Sequence, residues 1–398
     1  MRAAGGRMTR RAFLQAAGIA GVFLVAAGAG WSHREGVFSV GEGPAYEPWR
    51  SWRTDEAPLA LIRAAVLAAN PHNTQPWLFK IANERIEIYA DTVRNLGTFD
   101  PYLREMHIGL GCALENMVLA AAAHGYAPKV TLVDGTLEPI SAAPRPSLIA
   151  TIDLAPGPAR QDELYAAIPR RHTNRAPYDR GRAIAPELLH SLQSAADESA
   201  TLKLFLFGAE GDRSKLGNLM VTATETIIAD KSMVDDSQRW FRQRWADVQK
   251  FRDGPTLDTA GLPPLLTALA KIAPAPSPER NHRYWLDATR DVQVPSAPVL
   301  GLIAVAAPYD RAQAIEAGRA WQRMHLLATA RGLAMQPINQ PVELVDRERE
   351  LARQPLAARA LASLVGDPRW KPTFAFRLGF PTRPVPPSPR RPVSDVVI

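Results

Sequence analysis

Two fifteen-residue segments, GCALENMVLAAAAHG (111–125) and GRAWQRMHLLATARG (318–332), carry Gly, Ala, Met, Leu, Ala, Ala and Gly at matching positions without a gap. Each reads as a long apolar helix closed by glycine, the residue that most readily adopts the left-handed conformation of a helix cap. Alanines recur by chance in helices; the matched Gly, Met, Leu and terminal Gly are harder to produce that way. The chain therefore reads as two related halves, 58–160 and 161–398, joined near 155–170. Each long helix is followed by a strand-like segment and preceded by a helix–strand unit.

The remaining pattern fits that division. In the first half, PLALIRAAVLAA predicts a helix over 58–69. LFKI (78–81) and RIEIYA (85–90) read as strands around a turn at Asn83-Glu84, and LIATIDL (148–154) alternates like a third. The long helices are predicted over 107–124 and 312–331. In the second half a helix over 185–197 leads into the strand TLKLFLF, and PVLGLIAVAA (298–307) reads as a fully buried strand. Residues 30–57, polar and proline-bearing with Trp49 and Trp52, read as a linker or arm. Residues 225–295 mix the aromatic-basic SQRWFRQRWADVQKF with APAPSPER and show no clear core pattern, as in a lid or a mobile insertion. The chain ends in a proline-rich extended stretch, PTRPVPPSPRRPV.

The net charge of +7 suggests nucleic acid until the first 29 residues are set aside. They hold Arg2, Arg7, Arg10 and Arg11 and no acid, so the remainder carries +3, a surplus that argues solubility, not DNA or RNA. A single cysteine, Cys112, excludes an internal disulfide, and the eight histidines show no metal-ligand spacing. TRRAFLQ followed by AAGIAGVFLVAAGA has the form of a twin-arginine export signal, with Ala27-Gly28-Ala29 as a small-x-small cleavage site. The alternative is an anchor: Phe13 to Trp31 is 19 residues, near the ~20 that span a bilayer. Twin-arginine substrates cross already folded, often with a cofactor inside. The expected location is periplasmic or on the outer membrane face, with the export machinery as partner and membrane contact only through an uncleaved N-terminus.

Two motifs carry chemistry. NPHNTQPW (70–77) inserts polar and stiff residues at a helix-to-strand junction where a two-residue turn would do. Either Asn73 and Gln75 satisfy loop backbone while Pro76 stiffens it, or they present paired donors and acceptors to a planar heterocycle above Trp77. RRHTNR (170–175) gathers three arginines, a histidine and a threonine hydroxyl, an anion receptor unless it is a solvated basic run. Arg390-Arg391 adds a second basic pair. No dinucleotide-binding glycine fingerprint, P-loop or nucleophile elbow appears.

NTQPW after a helix, RRHTNR opening another, and a basic extended tail together resemble the nitroreductase family of flavoproteins, specifically a branch with two nitroreductase-like halves fused in one chain. The resemblance covers about 58–224 and 296–398. It implies an α+β sandwich, a mostly antiparallel sheet wrapped by helices, and FMN as cofactor. It places Arg170, Arg171, His172 and Thr173 on the phosphate and ribityl chain, and Arg175 beside the pyrimidine edge. Pro71, His72, Asn73 and Gln75 would reach the flavin from the other half. Ile338, Asn339 and Gln340 match the segment near its reactive nitrogen, and Arg390 and Arg391 match the tail's phosphate cations. Two departures stand out: only His72 separates Pro71 from Asn73, and Asn339-Gln340 replaces a more usual acid and glycine. The implied activity is hydride transfer through FMN to a small nitroaromatic- or quinone-like acceptor, with no catalytic side chain. NAD(P)H is a cytoplasmic reductant, so for an exported protein the alternative is an FMN-sequestering or redox-sensing role. Only the pairing of first-half loop with second-half arginines is complete, which implies one FMN per chain and a monomer that mimics a dimer.

Overall fold

In a computed structural model, which describes Ser32, residues 34–196 and residues 201–398, the two repeat helices run over Arg104–Ala123 and Arg311–Ala330 and pack on each other. The twin-arginine segment lies outside the described residues. The helices cross where the repeat places glycine. A Cβ on Gly111 would collide with the carbonyl oxygen of Ile315, and one on Gly318 with that of Ile108. An added methyl at such a crossing overpacks it, typically at a cost of ~1–3 kcal/mol. The contact is self-complementary: Glu115 pairs with Arg323 at 3.0 Å, and Gln322 donates to Asn116 Oδ1 at 2.8 Å. Glu115 and Gln322 are equivalent in the repeat, as are Asn116 and Arg323, the pattern of a two-fold interface made within one chain. Gly125 and Gly332 sit at φ 82° and 73°, the left-handed caps expected of them.

Each half contributes one four-stranded antiparallel sheet. The first comprises β1 (Trp77–Ala82), β2 (Arg85–Ala90), β3 (Tyr126–Leu132) and β4 (Ser147–Pro156), in the order β1-β2-β4-β3. The second comprises β5 (Leu202–Phe207), β6 (Val299–Val305), β7 (Ala334–Pro337) and β8 (Lys371–Gly379), in the order β5-β6-β8-β7. The topology is the same twice, with the long helix between the second and third strand of each. This is an α+β fold of duplicated sheets and helices. The β1–β2 register closes Ala82 on Arg85, and Asn83 takes φ 53°, so the two-residue turn lies where the sequence put it. β8 had no strand signal in the sequence, and β3 was expected only as a strand-like segment after the first repeat helix, without bounds. β3 alternates half-buried and exposed residues along its length, and that weak contrast hid its bounds.

The halves also exchange chain. After β8 the tail crosses to the first sheet, where Phe79 N donates to Val396 O at 2.7 Å and Ile398 N to Phe79 O at 2.9 Å. Two expectations need correction. Within the expected linker or arm, Pro44–Tyr46 and Glu47–Arg50 are helical and Tyr46, Trp49 and Trp52 are buried, so this part is a packed arm and not a linker. The insertion between β5 and β6 is helical and begins earlier, at Glu210–Ala229. Met220, Ala223 and Ile227 give that helix a buried face, and its mixed composition masked this.

Candidate functional site

The loop 70–75 is held in a conformation its sequence would not choose alone. His72, Asn73 and Gln75 take φ of 45°, 51° and 52°, a left-handed region costly for residues with a side chain. Bonds from the other half hold it there. Asn73 Nδ2 donates to Pro389 O at 2.9 Å, and Asn73 Oδ1 accepts from Arg390 Nη1 at 2.5 Å. Gln75 Nε2 donates to Arg252 O at 2.8 Å, while its Oε1 accepts from Arg391 N at 2.7 Å. Gly254 N donates to Asn73 O at 3.1 Å. Loop, tail and insertion form one clamp.

Beside the clamp lies a cavity. His72, Asn73, Arg171, His172, Thr173, Arg175 and Arg390 line it, together with Asn70, Gly254, Pro255, Thr259 and Ser388. The sequence motifs 70–73, 171–175 and 390 thus converge on one space. The other candidates lie elsewhere. Arg170 is exposed. Pro71 packs against Gly109. Gln75 is buried with its amide fully engaged by the tail and insertion, so it ties the clamp and does not face a ligand. Arg391 donates to Gln75 O at 3.3 Å and to Asp395 O, outside the cavity lining. Ile338, Asn339 and Gln340 are absent from the lining: Ile338 is buried in the core of the second half, Gln340 opens the helix Gln340–Glu350, and Asn339 bonds Glu105 in the first repeat helix while Ala375 N donates to Asn339 Oδ1 at 2.8 Å.

The electrostatics of the cavity are one-sided. Arg171 and Arg390 are 2% exposed, and among the described residues their partners are oxygens of neutral groups. Arg171 Nη2 donates to Leu67 O at 3.0 Å, and Arg390 Nη2 to Ala68 O at 3.2 Å. Arg175 Nη1 donates to Thr259 O at 3.1 Å. Arg171 Nε and Nη1, Arg390 Nε and His172 Nδ1 are buried with no hydrogen-bond partner. Burial lowers the Arg171 guanidinium to about 10; burial and then Arg171 pull Arg390 well below its ordinary value. Burial, then Arg171 and Arg390, drives His172 down to about 3, so its imidazole is neutral at pH 7. Removing a charge from water without an opposite charge costs several kcal/mol per ion. An anion with several oxygens would offset that cost and satisfy the unpartnered donors together.

Sequence reasoning missed Gly254, Pro255 and Thr259, although the Asp253-Gly254-Pro255 turn signal was there to be read. It also missed Trp49, which meets the His172 ring edge-on at 4.7 Å and lies 4.8 Å from the Arg390 guanidinium carbon.

No family model matches the chain. Two Mycobacterium tuberculosis sequences, from strains CDC 1551 and H37Rv, are each 26% identical over 342 residues, covering 85% of this chain and 90% of the relative; both are provisionally named NAD(P)H nitroreductase. The chain is similar to nitroreductases. Among solved structures, an FMN-dependent nitroreductase from Mycobacterium smegmatis in complex with NADPH matches at 16% identity and TM-score 0.38, over 58% of this chain and 96% of its own. An FMN- and NADPH-dependent nitroreductase from a sphigopyxis strain matches at 15% and 0.40, over 59% and 97%. A Bacteroides fragilis nitroreductase with bound FMN matches at 16% and 0.31, over 56% and 90%.

Proposed function

We propose that the chain is an exported FMN-dependent oxidoreductase of the nitroreductase type, passing electrons to a small nitroaromatic- or quinone-like acceptor. The observation that carries this reading is the buried cluster of Arg171, Arg390 and neutral His172, which line one cavity and hold side-chain nitrogens with no hydrogen-bond partner. That donor set fits a phosphate monoester. Arg171 and Arg390 would hold the phosphate of FMN, and His172 Nδ1 and Thr173 would take its remaining oxygens and the ribityl chain. Arg175 carries its charge into the same cavity and would stabilise negative charge on the ring system. The flavin supplies the two-electron chemistry when bound, and the chain binds, orients and shields it. The names of the M. tuberculosis relatives support the assignment.

One observation favours a second reading, in which FMN is sequestered with little turnover. The insertion closes one wall through Gly254, Pro255 and Thr259 and is bonded to the loop through Arg252. For either reading the fused halves would act as a monomer with one site, because residues 49–58 lack the arginine arrangement that would complete a second.

Release of the bound chromophore by denaturation, followed by chromatography, tests both. FMN at one per chain is expected; FAD, no flavin after refolding with FMN, or a ratio near two would reject the assignment. Anaerobic NADPH or a chemical reductant followed by a nitroaromatic separates turnover from sequestration. Export is tested by replacing Arg10 and Arg11 with Lys, which should leave flavin-loaded protein in the cytoplasm; normal export of that variant would exclude the twin-arginine route.

A further inference from the structure

Leu262, Leu265, Leu266 and Leu269 recur at the i, i+3, i+4, i+7 spacing that lines one face of a helix. They lead into and occupy the helix Pro264–Ile272, yet that face is turned outward. The four leucines are between 39% and 71% exposed, in a fold that buries such stripes elsewhere. Phe38 and Val40 are also exposed, at 75% and 44%. Chain path brings the two groups together: Lys271 Nζ, at the end of that helix, donates to Gly36 O at 2.9 Å. The first described residues therefore meet the leucine helix at its C-terminal end.

The residues that precede them narrow the occupant. Phe13 to Trp31 is 19 residues without a charge, with Trp31 at its polar boundary, near the ~20 residues of a span and the aromatic position of an interface. A stretch whose only polar side chain is Gln15 has too little polarity to leave in water if it lay along the leucines. A second copy of the chain is a poor fit as well. A nine-residue helix offers a strip of roughly 14 by 10 Å, far below the ~800 Å² per partner of a stable interface. Lipid suits both features.

We propose that the leucine face of the Pro264–Ile272 helix, with Phe38 and Val40, rests in the interfacial layer of a lipid bilayer held close by the N-terminal segment. The stripe begins one residue after Gly261, whose backbone packs on that of Arg175, and Thr259 is part of the cavity wall. The membrane surface thus lies beside the cavity wall. The contact surface stands apart from the FMN reading. Its consequence for substrate rests on that reading: apolar two-electron carriers dissolved in lipid, of the quinone class, reach the site without crossing water.

Cys112 is buried, so one introduced cysteine can carry a polarity-sensitive fluorophore. The full chain bearing Leu265→Cys or Leu269→Cys is labelled and reconstituted into phosphatidylcholine–phosphatidylglycerol vesicles, with Val93→Cys, 62% exposed, as the control position. Expected are blue-shifted emission at 265 and 269 and loss of most of it with doxyl-labelled lipid, with neither at 93. Labels at 265 and 269 as wet as at 93 overturn the proposal. Blue-shifted labels that doxyl lipid does not quench also overturn it, because a protein surface, either a second copy or residues 13–31, then covers the stripe. Flavin content read on the same samples is independent of these outcomes, so failure of the FMN reading is seen separately.

Discussion

Two buried charge clusters stand at different places in this molecule, and they are built on opposite rules. Around the cavity, Arg171, Arg175 and Arg390 collect positive charge with no acid among their electrostatic neighbours beyond weakly acidic thiol and phenol groups. At the start of the first repeat helix, Asp100, Glu105, Glu343 and Asp346 collect around one buried cation, Arg104. The acidic cluster is largely closed from within, although Glu343 Oε2 is buried without a hydrogen-bond partner. Arg104 Nη2 meets Asp346 Oδ2 at 2.7 Å, Tyr309 donates to Asp346 Oδ1 at 2.7 Å, and Asp100 caps Glu105 N and Met106 N at 3.0 and 2.9 Å. Burial and then neighbouring Asp100 raise Glu105 to about 8, and burial and then Glu105 raise Glu343 well above its usual range. Excess negative charge there is removed by protons. The arginines have no such exit, since a guanidinium keeps its proton near neutral pH. A cluster that solves its own charge problem holds the fold together. One that leaves the problem open is waiting for a ligand.

Substitutions at the two cations sharpen the contrast. Arg104→Ala removes the buried cation that pairs with Asp346 and strands that carboxylate, so it should destabilise by ~3–5 kcal/mol, read from urea unfolding. Arg171→Ala in flavin-free protein should leave the midpoint unchanged or raised, since it deletes an uncompensated charge. Equal losses for the two variants would erase the distinction.

The ligand side is next in size. Arg171→Ala should weaken FMN binding by ~1.5–3 kcal/mol, about one to two decades. Arg175→Ala should weaken it less and lower the flavin reduction potential by removing positive charge. Titration of the refolded variants with FMN checks the first, and anaerobic redox titration checks the second. Identical affinities for the two variants and the parent would reject this division of labour.

Dependence on pH is the smallest and most graded effect. Folded His172 and His72 sit near 3 and 4, below the ordinary 6.5, chiefly through burial. The unfolded chain takes protons there that the folded one refuses, so stability falls as pH drops from about 6.5. Glu105 behaves oppositely: the fold keeps a proton the unfolded chain has released, so its contribution is lost as pH rises from about 4.5 to 8. Flavin-free protein should therefore lose stability on both sides, with Glu105→Gln flattening only the alkaline arm and FMN flattening the acid arm most. An unchanged alkaline arm in Glu105→Gln would show that the stored proton does not sit on Glu105.

Much of the fold was legible because its signals are local. The repeat helices, their glycine caps, the β1–β2 turn and the arginine run are properties of residues within a turn or two of each other, and periodicity and residue type suffice to read them. Even the crossing at Gly111 and Gly318 was present as a matched letter, though not as a contact. What only the tertiary structure decided depends on neighbours hundreds of residues away. Gln75 looked like a ligand group until Arg391 and Arg252 took its amide. Asn339 looked like cavity wall until the turn after β7 carried it to Glu105. Arg170 and Arg171 are adjacent in the chain, yet one faces water and the other is buried without a counter-charge. Burial and electrostatic company follow from packing, so the sequence alone could name the arginines and only the folded chain could tell which of them needs an anion.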